Sequence, residues 1–152
     1  LCAVCDYVVA TQACRFGFTE ARIGLVPATI SPFVMAKIGV SAARAYFLSG
    51  AQFDAEVALR MGLVHQLVAV DGLTAARDAV VAEFLKAAPG AAAASKAMIH
   101  NVSALVSESG DVAAAHVTDY TAQLIAERRA SEEGQAGMAA LLEKRKAPWV
   151  SE

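Results

Sequence analysis

Apolar residues recur along this chain in two ways: as short β-branched runs and at helical steps of three or four, with glycine and proline between them. "YVVA", Tyr7 to Ala10, is β-branched and aromatic, which predicts a buried strand with neighbours on both faces. "LVHQLVAV", Leu63 to Val70, predicts a second strand, and "RFGF", Arg15 to Phe18, another short extended piece. The residues before Tyr7 read as the last turn of a helix closed by Asp6. Thr19 and Ser31 are candidate caps, and Pro32 suits the first turn after a serine cap.

Helices follow. Ser41 to Leu48 is one, ended by Gly50, and Asp54 to Met61 another, capped by Asp54 and ended by Gly62. Leu73, Ala76, Val80, Phe84 and Ala87 share one helical face until Pro89-Gly90 breaks it. Ala91 to Val106 is a further helix, with a polar turn from Ser107 to Asp111. Ala113, Val117, Tyr120 and Leu124 mark a long helix from about Asp111 to Arg129. Ser131 opens the last helix, where Glu132 and Glu133 suit the positive end of the helix dipole. Met138, Leu141, Leu142 and Arg145 share a face of it, and the "EKRK" run, Glu143 to Lys146, closes it with cations at the C-terminal end. Two short strands do not make a stable sheet alone. The pattern therefore predicts the C-terminal part of a larger α/β protein, with an all-α bundle joined by extended connectors as the competing reading.

Composition narrows the partners. A chain of 152 residues suits one domain, and its 57% hydrophobic content is largely alanine, which marks a helical soluble protein. No apolar run reaches the roughly 18–20 residues of a membrane span, so no membrane partner is expected. A net charge of −2 gives no electrostatic case for nucleic acid. "LCAVC" lacks a charged region of the signal-peptide kind, and the 3 cysteines are an odd number, so a reducing cytoplasm is expected. Cys2 and Cys5 have C-x-x-C spacing, but no second pair follows and no histidine lies nearby, so they read as small apolar residues. His65, His100 and His116 match no metal spacing and read as structural or exposed, so no metal site is expected.

One acid stands apart. In "RFGFTEARIGLVPATISPFV", Glu20 sits among Phe16, Phe18, Ile23, Leu25 and Val26. Apolar company suits a carboxyl group that carries a proton to and from a substrate. The plainer reading is a surface acid paired with Arg22 or capping a short helix.

"CDYVVAT…FGFTEARIGLVPA", then "FLSGAQFDAEVALRMGLVHQLV", then "EEGQAGMAALLEKRKAPW" together resemble the crotonase family, the enoyl-CoA hydratases and isomerases. "GLVPATISPFV" with "ARAYFLSGAQFDA" looks like the methylglutaconyl-CoA hydratase branch. The resemblance covers nearly the whole chain and implies an α/β, ClpP/crotonase-like fold. Residues 1–70 would end its β-β-α spiral and carry an acyl-pocket segment. Residues 71–152 would form a helical region that oligomerises, as a trimer or dimer of trimers, and contacts coenzyme A.

The implied activity is hydration of a 2-enoyl-CoA thioester. Coenzyme A would enter as part of the acyl-CoA substrate, with no separate cofactor. Family hydratases use two glutamates; Glu20 matches the second, and the first would sit immediately before Leu1, as would both backbone donors for the thioester oxygen. The Ala28 N–H, where the family more often has glycine, would help hold the water. Leu25 and Pro27 would contact substrate, and Ile30, Phe33 and Met35 would be core or acyl-pocket wall. Leu141 falls where the family has an apolar adenine contact, often Phe, and Lys144 falls on its phosphate-side lysine. A branched dicarboxylic acyl group would need a cation, for which Arg22 and Arg44 are candidates. The alternatives are an isomerase or other crotonase activity, and a non-catalytic oligomerisation fragment.

Overall fold

The computed structural model describes residues 1–107 and 111–150, and the chain divides into two compact units, Leu1–Val80 and Val81–Glu152.

In the first unit a 3₁₀ turn, Cys2–Val4, leads to β1 (Val9–Thr11) and β2 (Arg15–Gly17). A second 3₁₀ turn, Glu20–Ile23, precedes α1 (Ser31–Ser49). Then come β3 (Gln52–Asp54), α2 (Ala55–Arg60), β4 (Gln66–Val68) and a 3₁₀ turn at Val70–Gly72. β1 pairs in parallel with β4, Ala10 facing Leu67, and β2 pairs antiparallel with β3, Phe16 facing Phe53.

The core is an aromatic and aliphatic cluster. Phe53 is 5% exposed and meets Phe16, Phe18 and Tyr46 at ring distances of 5.8, 5.6 and 4.5 Å. Phe18 also takes the edge of Phe47 at 5.0 Å. Val34, Ile38 and Ala43 bring α1 to this cluster, and Ala58 brings α2. Leu63 and Val64 are buried just past α2, where both backbone N–H groups bond the Ala58 carbonyl.

Several expectations meet a different outcome. The opening residues form a 3₁₀ turn, Cys2–Val4, closed at Cys5. β1 begins at Val9, just past the contact of Val8 with His65, and of its three residues Ala10 is buried while Val9 and Thr11 are half-buried. β4 keeps only the middle of its predicted run. β3 has no counterpart in the pattern, since three residues running straight into the Asp54 cap carry no period. α1 starts ten residues earlier than expected, at Ser31 against Ser41. Gly39, at φ 74° and ψ 166°, kinks it and hides the continuity of its two halves. Ser31 lies inside the first turn and donates to the Ala28 carbonyl, while Thr19 makes no capping bond. Asp54 caps α2 as expected, its Oδ1 accepting from Val57 N at 2.9 Å.

The second unit is helical. α3 (Leu73–Phe84) runs across the division, followed by α4 (Pro89–Ser107), α5 (Asp111–Ala130) and α6 (Glu132–Leu142). The expected polar turn from Ser107 to Asp111 lies, over 108–110, outside the described residues. Pro89 opens α4 where the pattern placed a break, as a proline in the first helical turn can. Ser131 caps α6, accepting from Gly134 N at 3.1 Å and donating to the Arg128 carbonyl at 2.7 Å. Glu133 does not serve its own helix alone. Its two oxygens accept from Gly90 N and Ala91 N, each at 2.8 Å, at the start of α4, and it pairs with Arg128. A carboxylate there satisfies orphan N–H groups and the helix dipole together. The Glu143–Lys146 run closes α6 just past its last helical residue, Leu142: Glu143 N bonds Ala139 O at 2.9 Å, Arg145 N bonds Ala140 O at 3.0 Å, and Lys144 takes a left-handed φ of 54°.

Phe53→Ala removes the ring that three others pack on. It should cost about 3–5 kcal/mol of unfolding free energy, as buried Phe truncations do, and chemical denaturation should show it as a lower midpoint at an unchanged slope.

Candidate active site

Glu20 owes its position to the residues on each side. Phe18 is 8% exposed and anchored between Phe47 and Phe53, which fixes the end of β2. The chain then turns sharply: Arg22 N bonds Thr19 O at 3.0 Å, Gly24 N bonds Ala21 O at 3.3 Å, and Leu25 N bonds Glu20 O at 3.0 Å. Gly24 closes the turn in the left-handed region, at φ 76°. Glu20 is half-buried, and its Oε2 is shielded from solvent with no hydrogen-bond donor on it. Buried polar atoms are nearly always paired, so this carboxylate oxygen stands out; among the described residues Arg128 Nε shares the condition.

Arg22 does not supply the partner. It is exposed and lies over Gly50, so close that a Cβ there would come within 2.7 Å of its Cγ. Among the described residues no ion pair joins Arg22 to Glu20, so the surface-pair reading fails on geometry.

Two apolar cavities flank this turn. Ala21, Leu25, Pro27, Ala28, Met35 and Phe47 help line one of about 440 Å³. Phe33, Phe18, Phe16 and Leu63, with Cys2 and Val4, help line the other, of about 240 Å³. The predicted contact residues thus separate: Leu25, Pro27 and Ala28 share the larger cavity, and Phe33 belongs to the smaller one. In the sequence Glu20 falls between Phe18 of one wall and Ala21 of the other, and it is not among the lining residues of either cavity. The Ala28 N–H is donated to Val26 O at 2.8 Å, which turns it back into its own loop.

Leu141 and Lys144 belong to the second unit. Lys144 N bonds Leu141 O at 3.2 Å, so one turn carries both, with both side chains exposed. Among the described residues no cluster of three or more His, Cys, Asp or Glu could hold a metal ion. Ser31, Phe47 and Leu48 of the larger cavity were not singled out as site residues; they lie on α1, whose pattern was only half legible.

A protein-family model described as "Enoyl-CoA hydratase/isomerase" matches residues 1–152. The chain belongs to this family. It is 39% identical over 106 residues to "Probable enoyl-CoA hydratase EchA17" of Mycobacterium tuberculosis, covering 67% of this chain and 40% of that one. A "Probable enoyl-CoA hydratase" of Rhizobium meliloti is 30% identical over 148 residues, covering 97% of this chain and 55% of that one. The solved structure of AtuE from Pseudomonas aeruginosa superposes with a TM-score of 0.86 at 37% identity, covering 99% of this chain and 56% of that one. An enoyl-CoA hydratase/isomerase from Marinobacter aquaeolei gives 0.87 at 31% identity, covering 99% and 55%. The chain therefore spans roughly half the length of the relatives it matches. These likenesses show a crotonase fold, of which the helix-rich α/β architecture here is the C-terminal portion.

Gly24 offers a clean test of the turn. A Cβ at this position would meet nothing within 4 Å, so any cost is backbone alone. Gly24→Ala should lose about 1–2 kcal/mol, the left-handed penalty, and Gly24→Asn distinctly less, with calorimetry reading the order.

Proposed function

We propose that the whole protein hydrates a 2-enoyl-CoA thioester, with Glu20 as a general acid/base. The observation that carries this reading is the shielded, unpartnered Glu20 Oε2 on a tight turn whose neighbours Phe18 and Ala21 line two apolar cavities. Family membership supplies the reaction class, and the cavities supply a dry setting for the acyl group.

Adding water across the double bond needs two proton movements. The attacking water loses one as its oxygen bonds the β-carbon, and the α-carbon gains one as charge leaves the thioester oxygen. A carboxylate with a free lone pair can take the first, and the same group protonated can deliver the second. Glu20 has such an oxygen. Two other groups would share the work in the whole protein: a second carboxylate, and backbone donors on the thioester oxygen. An isomerase needs only proton shuttling, which one glutamate also supplies. Hydration is the reading we adopt because the matched relatives are named as hydratases.

Within the acyl-CoA class, the lining of the larger cavity supports a plain aliphatic acyl group. Its lining residues are Ala, Leu, Val, Pro, Ser, Met and Phe, with no cation among them. A methylglutaconyl-like substrate would bring a second carboxylate, and neither Arg22 nor Arg44 lines either cavity. Leu141 and Lys144 would serve the coenzyme, an apolar side chain for adenine and a cation for phosphate on one exposed turn. In a trimer or dimer of trimers that turn would serve a neighbouring subunit. Three free cysteines suit the reducing cytoplasm as the site of action. Among the described residues no helix is long and apolar enough to cross a membrane.

Glu20→Gln preserves shape and abolishes proton transfer. In the whole protein kcat should fall by about 10²-fold or more, with KM and melting temperature little changed. Wild-type turnover in that variant would refute the role. Lys144→Ala should instead raise KM at constant kcat, by about 1 kcal/mol of binding at most for so exposed a cation, and high salt should shrink the difference. Profiling straight-chain 2-enoyl-CoA esters against a dicarboxylic one tests the acyl assignment: a preference for the dicarboxylic ester would overturn it.

A further inference from the structure

His65, just ahead of β4, holds Val8 at both ends. Its backbone N–H donates to the Val8 carbonyl at 2.9 Å, and its ring Nδ1 accepts from Val8 N–H at 3.0 Å. An imidazole nitrogen thus takes the acceptor place that a carbonyl holds elsewhere in a strand ladder. Nδ1 accepts only when it carries no proton, which places the ring hydrogen on Nε2. Tyr7 stacks on the ring at 4.8 Å, and Lys37 of α1 donates to the Cys5 carbonyl at 2.8 Å. These side-chain contacts help hold residues 5 to 8. Immediately before them, Leu1, Cys2, Ala3 and Val4 form one wall of the cavity that Phe33 lines.

We propose that His65 is a proton-operated latch: when its ring takes a second proton it releases the Val8 amide and loosens Leu1–Tyr7, whose first four residues wall the smaller cavity. Protonation turns Nδ1 from acceptor to donor, so two N–H groups would face one another and the bond must break. It also sets a second cation beside Lys37. His65 is exposed overall, but partial loss of solvent at its ring, and then the Lys37 charge, hold its pKa below the ordinary 6.5. The sign follows. The folded chain prefers the neutral ring, so it binds fewer protons than the unfolded chain. The stabilisation is complete above the ordinary value and is lost as pH falls through the folded one.

Lys37 is the charge that acts on the ring; Tyr7 stacks on it, and Asp6 precedes Tyr7 in the same segment. β1 and β4 bring only Val, Ala, Thr, Gln and Leu, none of them ionisable. The bonds from His65 N and Gln66 N to the Val8 carbonyl do not depend on the ring proton, so the release is local and leaves β1 on β4. This inference stands apart from the hydratase reading, and its test uses no activity.

Amide hydrogen exchange by NMR on the full chain, corrected for intrinsic rates, reads the latch. Between about pH 8 and about pH 5, Val8 should lose protection by at least about tenfold. The Gln12 amide, which bonds Val68 O at 3.2 Å, should keep its protection because it reports the β1–β4 pairing. His65→Asn supplies an acceptor that does not titrate, and His65→Phe supplies the stacked ring without an acceptor. The pH dependence should vanish in both, with Val8 unprotected throughout in His65→Phe. Val8 protection that follows Gln12 at every pH, or a pH dependence that survives either substitution, would overturn the latch. Should a variant fail to fold, the ring nitrogen shifts of the wild-type chain decide alone: a neutral ring protonated on Nδ1 rules it out.

Discussion

The packing of Phe53 is the constraint on which the first unit rests. Two strands of three residues each have almost no stability of their own. β2 and β3 persist because Phe16 and Phe53 face each other across the pair while Phe18 and Tyr46 close on the same ring. The interaction is apolar burial with ring geometry, worth more per residue than any hydrogen bond in the unit. It also ties α1 to the sheet, since Tyr46 and Phe47 are α1 residues. The Glu20 turn hangs from this cluster by a single residue, Thr19, after Phe18. A carboxylate can be kept orphaned only where its backbone has no freedom to seek a partner, and the anchored phenylalanine removes that freedom.

The second unit solves a different problem. Its helices are rich in alanine, which covers little surface, so polar contacts carry more of the specificity. Glu133 joins the N-terminus of α4 to the start of α6, and Arg128 from α5 completes the junction. The same region cannot accept bulk. A Cβ at Gly134 would fall 2.0 Å from the Arg128 carbonyl, so the glycine is demanded by close approach. Trp149 lies over Gly137 and donates to the Lys86 carbonyl at 3.1 Å, which returns the end of the chain to the segment before α4.

These two arrangements differ in their physical basis. The aromatic cluster rests on apolar burial. Polar junctions rest on hydrogen bonds and charge, and the His65–Val8 contact joins the two regimes: a backbone amide in a strand register depends on the protonation of one ring. That contact follows directly on Leu1–Val4, the segment that walls the smaller cavity.

From the sequence alone, the helices of the second unit, the Asp54 and Ser131 caps and the C-terminal crotonase identity were legible, because period, cap chemistry and motif order are local properties. Glu20 was also legible as an isolated acid among apolar neighbours. Only the tertiary structure decided the rest. β3 exists because of a partner strand distant in the chain, and α1 runs on through Gly39 because packing overrides a local breaker. Glu133 turned out to cap α4 because a side chain at a helix start can reach a neighbouring helix as readily as its own. The orphaned state of Glu20 Oε2, the diversion of Arg22 over Gly50 and the separation of Phe33 from Leu25, Pro27 and Ala28 are three-dimensional facts. Each depends on which distant atoms fail or manage to arrive, and no local pattern encodes that.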